Sequence, residues 1–590
     1  MEQIATNIDI LKKIFNYLEL SEQLNATQAC PEFQYIMVNC IWRYKYRHIK
    51  VYKLNGDTFI ININSKYKTD YRNCELINEH FVDLRPKQFE RFLQLNRENI
   101  LELELCDYSG NKLEENAQFV QNNKWKFSNL KTLILQYVMI DVKELELIYR
   151  NCKKLEILRL KQCCNLQSDL ITLNDQDNCA YDILLSIVKT LAEFQIEYRE
   201  MQFSKSTINL HDLLAKNNLK RLNLNMPLKN LRYKETPRLR ENVCEVLEIG
   251  NFDEYKTLQK FTRLYLKKFQ ILSHLTLEGS LNKIFIDSQF IQNLSECTLH
   301  LKYLFLKRCL INVDDFGLLS TLTEITLDNC MSLTWRNLRQ LLDLPQLQAF
   351  HSNYSTYTRE FENICIPCNL KRLTLVGNEF KFAQIFDKPK DQLTQLKQLI
   401  YYDGSLTKIS NISRKFPSLE ILHILPHHLE LQDIFHLKRL KIFKVPKCAK
   451  NSKNILHLMH LIEHPTLSEL SLLGGAINLD NELSIDLSNI RVTNLSYLVI
   501  DFDVFNYLLE FLLDLLKCNK KLKLIISSDD IADYQYFYNL VTNRKFCKDF
   551  IKLCGFQIDR NDITARPKIV ERKLQFIREL SEFQNVYIII

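Results

Sequence analysis

The stretch Leu301-Lys302-Tyr303-Leu304-Phe305-Leu306 decides the fold, because its spacing of large apolar residues recurs along most of the chain. The pattern is L-x-x-L-x-L, with isoleucine, valine or phenylalanine allowed at the apolar positions. Clear copies begin at Ile100, Leu130, Leu155, Leu219, Leu272, Leu301, Leu322, Leu370, Leu419, Leu440, Leu467 and Leu495. Weaker copies begin at Cys244, Leu347, Leu396 and Leu522. Most starts lie about 21 to 30 residues apart, a period typical of stacked repeats.

The spacing within each copy predicts a short strand. The fourth and sixth residues of a copy point to the same side of a strand, so they face inward, whereas the third, fifth and seventh face outward. A helical stretch follows some copies, as at residues 143–149 and 335–342. One unit cannot bury its own apolar face, so neighbouring units must stack. The sequence therefore predicts an α/β solenoid of about 15 units, with a curved parallel sheet on its concave side and helices outside.

The ninth position of the pattern carries a small polar or thiol side chain, which can bond to the open backbone of the turn. The residues there are Cys163, Cys309, Cys330, Cys448 and Asn378. With the leucine pattern, they resemble the cysteine-containing class of leucine-rich repeat over residues 100–530. The long gap between Leu155 and Leu219 predicts a loop insertion over residues 168–182. It also predicts one degraded repeat around Tyr198, Met201 and Phe203.

Residues 6–47 do not follow the repeat and predict three short amphipathic helices. Thr6-Asn7-Ile8-Asp9 is typical of a helix N-cap. An apolar stripe at helical spacing follows. Ser21 is a candidate cap for a second helix, and Pro31 suits the first turn of a third. So small a core usually gains stability by docking on a partner.

This N-terminal segment resembles an F-box. The match runs as N-x-D-I-L-x-x-I-F-x-Y-L from Asn7 to Leu18, and it continues with Leu24, the Ala29-Cys30 pair, Phe33 and Trp42. It departs from the family at Thr6-Asn7, where many F-boxes have Leu-Pro. It also departs at Gln23, where an acidic residue is usual. The alternative is a plain helical cap for the repeat stack, since solenoids need capped ends.

The resemblance implies a substrate-recognition subunit of an SCF-type ubiquitin ligase. The helical module would bind a Skp-family adaptor and, through it, a cullin. The repeats would present a protein substrate for ubiquitin-dependent proteasomal degradation, and the ligase chemistry would belong to other subunits. The chain would then be no enzyme and would need neither cofactor nor metal. The implied adaptor-binding residues are Ile10, Leu11, Ile14, Phe15, Leu18, Leu24 and Trp42. A repeat scaffold or inhibitor with no link to ubiquitin is the alternative.

The outward strand positions predict where a substrate binds. They are mostly polar in the N-terminal half of the repeats and become apolar in the C-terminal half, and exposed apolar clusters usually mark binding surfaces. The predicted substrate-binding residues are Ile400, Tyr402, Ile421, Leu425, Ile442, Lys444, Leu473, Tyr497 and Val499. The alternative is that the chain's own end, residues 569–590, covers this face. Neither possibility is favoured by the sequence.

The predicted domain organisation follows from these patterns. The boundaries are 1–50 for the F-box-like module, 51–99 for a linker and N-terminal cap, 100–545 for the solenoid and 546–590 for a C-terminal cap and tail. No secretory pattern opens the chain, and no apolar run reaches the length of a membrane helix. We therefore expect a cytoplasmic or nuclear protein whose 18 cysteines are free thiols.

Other functional classes have weaker support. Ten glycines in 590 residues leave little backbone for phosphate-binding loops. Cys365 and Cys368 form a C-x-x-C without a second pair for zinc, and His427-His428 has no clear carboxylate partner. A basic run at residues 43–53 interleaves with tyrosines, which can bind single-stranded nucleic acid but more often is a solvated helix end. With a net charge of +8, we expect no nucleic acid partner and no membrane.

Overall fold

A computed structural model of the chain describes the parts of it on which the repeat pattern falls. The described residues are 7–53, 59–63, 80–107, 126–138, 140–163, 179–198, 218–225, 243–252, 258, 261–262, 266, 269, 271–279, 284–357, 369–377, 395–403, 409–425, 429–449, 457–474, 490, 492–501, 504, 508–519, 522–527 and 588–589. The chain forms two compact units. Unit 1 comprises Met1–Ile249 and Ile558–Arg578, and unit 2 comprises Gly250–Gln557 and Glu579–Ile590.

Unit 1 consists of a helical head followed by a parallel sheet. Its helices are α1 (Ile8–Asn16), α2 (Leu20–Ala26), α3 (Pro31–Tyr35), a π-helical continuation (Ile36–Trp42), α4 (Arg43–Lys45), α5 (Pro86–Asn96), α6 (Val142–Asn151) and α7 (Cys179–Val188). Its strands are β1 (His48–Lys53), β2 (Phe59–Ile63), β3 (His80–Leu84), β4 (Glu102–Asp107), β5 (Thr132–Gln136), β6 (Ile157–Lys161), β7 (Glu193–Glu197), β8 (Arg221–Asn225) and β9 (Val246–Phe252).

The N-terminal edge of this sheet is an antiparallel meander. Strand β1 pairs in parallel with β4, with His48 opposite Glu102, and antiparallel with β2 on its other side. Strand β2 pairs antiparallel with β3. From β4 to β8 every successive pair is parallel. The segment predicted as linker and cap, residues 51–99, thus contributes the end of β1, the strands β2 and β3, and α5.

Unit 2 repeats the parallel arrangement. Its strands are β10 (His274–Gly279), β11 (Ile284–Asp287), β12 (Tyr303–Lys307), β13 (Cys309–Asn312), β14 (Glu324–Asp328), β15 (Ala349–Asn353), β16 (Arg372–Gly377), β17 (Gln398–Asp403), β18 (Ile421–Ile424), β19 (Ile442–Ala449), β20 (Glu469–Gly474), β21 (Tyr497–Asp501), β22 (Lys523–Ser527) and β23 (Ile588–Ile589). Its helices are α8 (Ser288–Cys297), α9 (Trp335–Leu342), α10 (Ile412–Lys415), α11 (Leu431–Phe435), a 3-10 helix (His460–Glu463) and α12 (Leu509–Cys518).

The predicted inward positions form the core of both units. In the copy that begins at Leu301, the three apolar residues Leu301, Leu304 and Leu306 are at most 1% exposed. Each copy of the pattern forms one rung of the stack. In most described rungs the carbonyl of the second residue accepts two amide hydrogen bonds from the next rung. The carbonyl of Lys371 accepts from Lys397 at 2.8 Å and from Gln398 at 3.1 Å. The prediction of stacked leucine-rich repeats is confirmed by this register, and α9 occupies the predicted range 335–342.

Two details of the repeat prediction need correction. A rung does lie at Tyr198, which is buried, but its strand is β7 and its copy begins at Leu191, with Phe194 and Ile196 inward. Met201 and Phe203 lie outside the described residues. The copy assigned to Leu522 is shifted by one residue, because Tyr497 pairs with Lys523 and the buried Leu524 lies opposite Leu498. A shift of one residue exchanges the two faces of a strand, so the inward residues of β22 differ from those predicted.

The ninth-position cysteines lie against strand carbonyls of the preceding rung, where a bond to the open backbone of the turn was predicted. The Sγ atoms of Cys163, Cys309 and Cys330 lie 3.5, 4.0 and 3.3 Å from the sixth-position carbonyl oxygens of the rungs before them. All three cysteines are fully buried, and burial together with the neighbouring Cys330 raises the pKa of Cys309. They are structural thiols rather than reactive ones. Asn378 lies outside the described residues, and so does the side chain of Cys448.

The eighth position of the rung bends the chain through the left-handed backbone region. Non-glycine residues occupy it with φ between 48° and 57°: Tyr137, Gln162, Arg308, Asn329 and Tyr354. The amide of Tyr354 donates to the carbonyl of Val376 on the next rung at 2.6 Å. The hydrogen bonding between neighbouring strands therefore extends one residue beyond the end of β15. Only glycine takes this conformation without steric cost.

We expect Tyr354→Val to lower the free energy of unfolding by about 1–2 kcal/mol, because a β-branched residue is strained at φ near 48°. Tyr354→Gly is the matched control. It removes the same ring, which is 55% exposed, but relieves the backbone. Urea unfolding of the full chain checks the pair. Equal midpoints for the valine and glycine variants would contradict the expectation.

Candidate functional site

The first candidate surface is helix α1 of the head. Asn7 caps this helix, since its Oδ1 accepts hydrogen bonds from the amides of Asp9 at 3.1 Å and Ile10 at 3.2 Å. The predicted cap at Ser21 is wrong: α2 begins at Leu20, and Glu22 accepts a hydrogen bond from the amide of Glu19 instead. Pro31 opens α3 as predicted.

The structure divides the predicted adaptor-binding stripe into two sets. Leu11, Phe15, Leu24 and Trp42 are buried in the core of the head, at 6, 6, 1 and 0% exposure, and Leu18 is half-buried. For the four buried residues the structure gives a packing role in place of the predicted surface contact. Ile10 and Ile14 are 40% and 45% exposed.

Tyr17 lies one turn beyond Ile14 on the same side of α1, and it is 91% exposed. Sequence reasoning did not single it out as an adaptor contact. We name Ile10, Ile14 and Tyr17 the α1 stripe. Three adjacent exposed apolar side chains on one helix form a surface that a partner protein could cover.

The side chain of Gln23 on α2 connects the end of α1 to the segment Trp42–Tyr46 by hydrogen bonds. This side chain is fully buried, and its amide Nε2 donates to the carbonyls of Phe15 at 3.0 Å and Leu18 at 2.9 Å. Its Oε1 accepts from Trp42 Nε1 at 2.8 Å and from the Tyr46 hydroxyl at 3.2 Å. A carboxylate could not donate to the two carbonyls. The departure from the F-box pattern at this position therefore has a structural reason.

The head is continuous with the repeat stack of unit 1. The ring of Phe92 on α5 packs against Trp42 and Tyr46, with centroids 5.3 and 5.6 Å apart. Tyr46 is buried at the first position of the β1 rung, opposite Ile100 of the next rung. Asn96 donates to the carbonyl of Tyr46 at 3.1 Å. These contacts fix the head on the first rung.

Two members of the basic run at residues 43–53 pair with carboxylates within unit 1. Lys50 Nζ lies 3.0 Å from Glu104 Oε1, and His48 Nδ1 lies 3.1 Å from Glu102 Oε2. Tyr46, one of the interleaved tyrosines, is 1% exposed, whereas Tyr44 is 70% exposed. His48, Lys50 and Tyr46 therefore stabilise the sheet and the core.

The outward face of the unit 1 sheet carries paired charges. Glu193 accepts from Arg159 at 2.8 Å and lies 3.8 Å from Arg221, its neighbours on either side. Asn223 donates to Glu248, and burial raises the pKa of that carboxyl. Arg221 is the register partner of Glu193 on an adjacent strand, about 4.8 Å away, and Arg159 lies two residues beyond the register partner of Glu193 on the other side. Complementary charges at outward positions therefore pair across the sheet.

The second candidate surface is the outward face of unit 2, on β17 to β21. The predicted apolar residues Ile400, Tyr402, Ile421, Ile442, Leu473, Tyr497 and Val499 are half-buried at outward strand positions, and Leu425 is buried at 7% exposure. We name these eight residues the apolar patch. Ile421 and Ile442 are register partners on adjacent strands. Lys444, predicted to flank the patch, forms an ion pair with Glu469 at 2.5 Å.

His423 lies inside the patch between Ile400 and Lys444, its register partners. Sequence reasoning missed it, although its fifth position in the copy that begins at Leu419 predicts an outward side chain. Burial, with a smaller contribution from the charge of Lys444, lowers the pKa of His423 to about 3. The ring is therefore neutral at physiological pH.

The end of the chain contributes a short strand to unit 2. Ile588 and Ile589 pair in parallel with Ile526 and Ser527 of β22, at the edge of the sheet. These two residues of the predicted tail thus extend the sheet. The rest of residues 546–590 lies outside the described part of the chain, as do Cys365, Cys368, His427 and His428.

Among the residues that the structure describes, no group of three or more His, Cys, Asp or Glu side chains is placed to hold a metal ion. None of the helices in that part of the chain is both long and apolar enough to cross a membrane.

The strand register, the inward leucines and the ninth-position cysteines together define a leucine-rich-repeat protein. The chain is similar to an internalin (inlF) from Listeria monocytogenes, with 14% identity and a TM-score of 0.29 over 58% of this chain and 80% of the internalin. It is also similar to a chain of the LRIM1/APL1C complex, with 10% identity and a TM-score of 0.23 over 82% of this chain and 76% of the other. No family model and no curated protein matches the chain.

Proposed function

We propose that this chain is a non-catalytic substrate-recognition subunit of an SCF-type ubiquitin ligase. The head would bind a Skp-family adaptor and, through it, a cullin, and the apolar patch would bind a protein substrate marked for proteasomal degradation. Such a subunit acts in the cytoplasm or the nucleus. The observation that carries the proposal is the α1 stripe, since a helical head with an exposed apolar helix face precedes a leucine-rich-repeat stack.

The α1 stripe supports an adaptor contact for a physical reason. Leu11 and Phe15 already close the core of the head, so Ile10 and Ile14 are not needed for its packing. Leaving them in water forfeits about 1.5–3 kcal/mol for each side chain that a partner could bury completely. A pair of such residues on one helix turn suits a helix-to-groove contact.

A second candidate function is a repeat scaffold with no link to ubiquitin. The continuous packing of Trp42, Tyr46 and Phe92 favours it, because the same contacts would make the head a simple cap for the stack. The two functions differ in whether the α1 stripe contacts a partner.

Replacing Ile10 and Ile14 together with aspartate is expected to weaken binding of the full chain to a purified Skp-family adaptor by at least about 100-fold, since both charges would enter an apolar contact. Phe15 is left intact because its burial would confuse loss of binding with loss of folding. Binding is measured by pull-down and by titration calorimetry.

The control for this pair is Leu147→Asp with Leu318→Asp, which are 48% and 47% exposed at other places on the surface. It should leave adaptor binding unchanged. Absence of binding by the unmodified chain at micromolar concentration would exclude the ligase proposal and favour the scaffold.

A further inference from the structure

The cations on the outward face of unit 2 are already neutralised. Among the described side chains at outward positions of β10 to β21, the lysines and arginines are Lys307, Arg372 and Lys444. Lys307 lies 2.9 Å from Glu278, Arg372 lies 2.6 Å from Glu324, and Lys444 lies 2.5 Å from Glu469. Each of these carboxylates is nearly buried, with 8–16% of its side chain exposed. The three cations are therefore engaged before any ligand arrives.

Carboxylates outnumber these cations on the same described positions. Besides the three paired glutamates, Asp328 and Asp501 lie at outward positions, so five carboxylates face three cations and the formal balance is −2. Burial raises the pKa of Asp328. A phosphate group needs unengaged arginine or lysine side chains, and it is repelled by nearby carboxylates.

The patch offers apolar area on both sides of the Lys444–Glu469 ion pair. Ile421 and Ile442 lie side by side, Ile400 lies on β17 next to β18, and Val499 lies on β21, beyond Glu469 and Ser471 of β20. His423, neutral at physiological pH, lies between Ile400 and Lys444. Such a surface gains from burial of its apolar side chains and offers an anionic group no cation that is not already paired.

We propose that the apolar patch binds an extended protein segment that carries apolar side chains and no phosphate. This proposal rests on the proposed function and names the substrate class of that function. The substrate segment is recognised through its apolar side chains and carries no phosphorylated serine or threonine. Exposure of that segment, for example by unfolding or by loss of a partner, would then make a protein a substrate.

The test uses peptides as probes. A random 12-residue peptide display library is selected on the full chain, and an enriched peptide is synthesised both unmodified and with one phosphoserine. Affinity is measured by fluorescence polarisation against the unmodified chain and against the variant Ile421→Glu/Ile442→Glu. The matched control is Ile271→Glu/Leu299→Glu, whose residues are 43% and 69% exposed elsewhere in unit 2.

We expect enriched peptides rich in apolar residues, at least tenfold weaker binding to the patch variant, unchanged binding to the control, and weaker binding of the phosphorylated peptide. Acidic enriched peptides, tighter binding of the phosphopeptide, equal effects of the two variants, or no enrichment at all would each overturn the proposal. If the double variant fails to fold, Val499→Glu replaces it.

Peptide binding in this test needs no adaptor, so its failure is separate from failure of the ligase proposal. A chain that binds the adaptor but selects no apolar peptide would keep its proposed function and lose this substrate class. A chain that selects apolar peptides but ignores the adaptor would be a peptide-binding scaffold.

Discussion

Replacing Gln23 with glutamate is expected to lower the free energy of unfolding of the head by about 3 kcal/mol or more. The side chain is fully buried, and its two donated hydrogen bonds, to Phe15 and Leu18, require an amide nitrogen. A glutamate would place two acceptors against those carbonyl oxygens and would bury a charge. The loss is to be measured by urea unfolding of the full chain, followed by fluorescence and by hydrogen exchange of the head amides.

The same chemical change at an exposed position gives the control. Gln28 is exposed just beyond α2, and Gln28→Glu should leave the unfolding of the head within about 0.5 kcal/mol of the unmodified chain. If the two glutamate variants unfold at the same urea concentration, Gln23 does not have the connecting role that its four hydrogen bonds indicate.

Acid is expected to destabilise unit 2 through His423. The folded pKa is about 3, against an ordinary value of 6.5, so between these values the unfolded chain binds a proton that the folded chain does not. The stabilising contribution is complete above pH 6.5 and is lost as the pH falls from 6.5 towards 3. The full shift corresponds to about 5 kcal/mol, and because the ring is partly exposed we expect about 2 kcal/mol by pH 4.5.

His423→Gln removes the titrating group and should flatten this dependence. Urea midpoints of the full chain at pH 7 and pH 4.5 measure it, with His300→Gln as the control because His300 is exposed. The carboxylates titrate alike in all three proteins, so the difference between them isolates His423. A His423→Gln variant that loses as much stability in acid as the other two would count against a buried neutral ring.

The repeat was predictable because one position pattern determines both core and register. Leu304 and Leu306 recur at fixed spacing, and a period of two on a strand leaves one choice of inward face. The prediction was wrong where that choice became ambiguous. At β22 the run Leu524-Ile525-Ile526 places apolar residues on both faces of the strand. The pattern alone therefore does not identify the inward face, which is determined by the pairing with β21. At β7 the copy that begins at Leu191 satisfies the pattern, with Phe194 and Ile196 at its apolar positions, and the prediction centred the repeat a few residues further along the chain.

The candidate surfaces were less predictable, because hydrophobicity alone does not separate core from surface. Ile14 and Phe15 are neighbours on α1 and equally apolar, yet they are 45% and 6% exposed. The difference comes from where α3 and the π-helical segment pack, with the ring centroid of Phe33 on α3 lying 4.9 Å from that of Phe15. The pairing of Arg159 with Glu193 could have been predicted, since both lie at outward positions of adjacent rungs.

The bonding between rungs also determines how the chain responds to tension. The carbonyl of Lys397 accepts hydrogen bonds from Glu420 and Ile421 of the next rung, and that of Glu420 accepts from Lys441 and Ile442. A force that pulls on one end of the stack therefore breaks the hydrogen bonds of the outermost rung first. The hydrogen bonds of the other rungs are not broken at the same time. A subunit that holds a client while the client is dragged away would yield at its outermost rung and could re-form it, with the remaining rungs still folded.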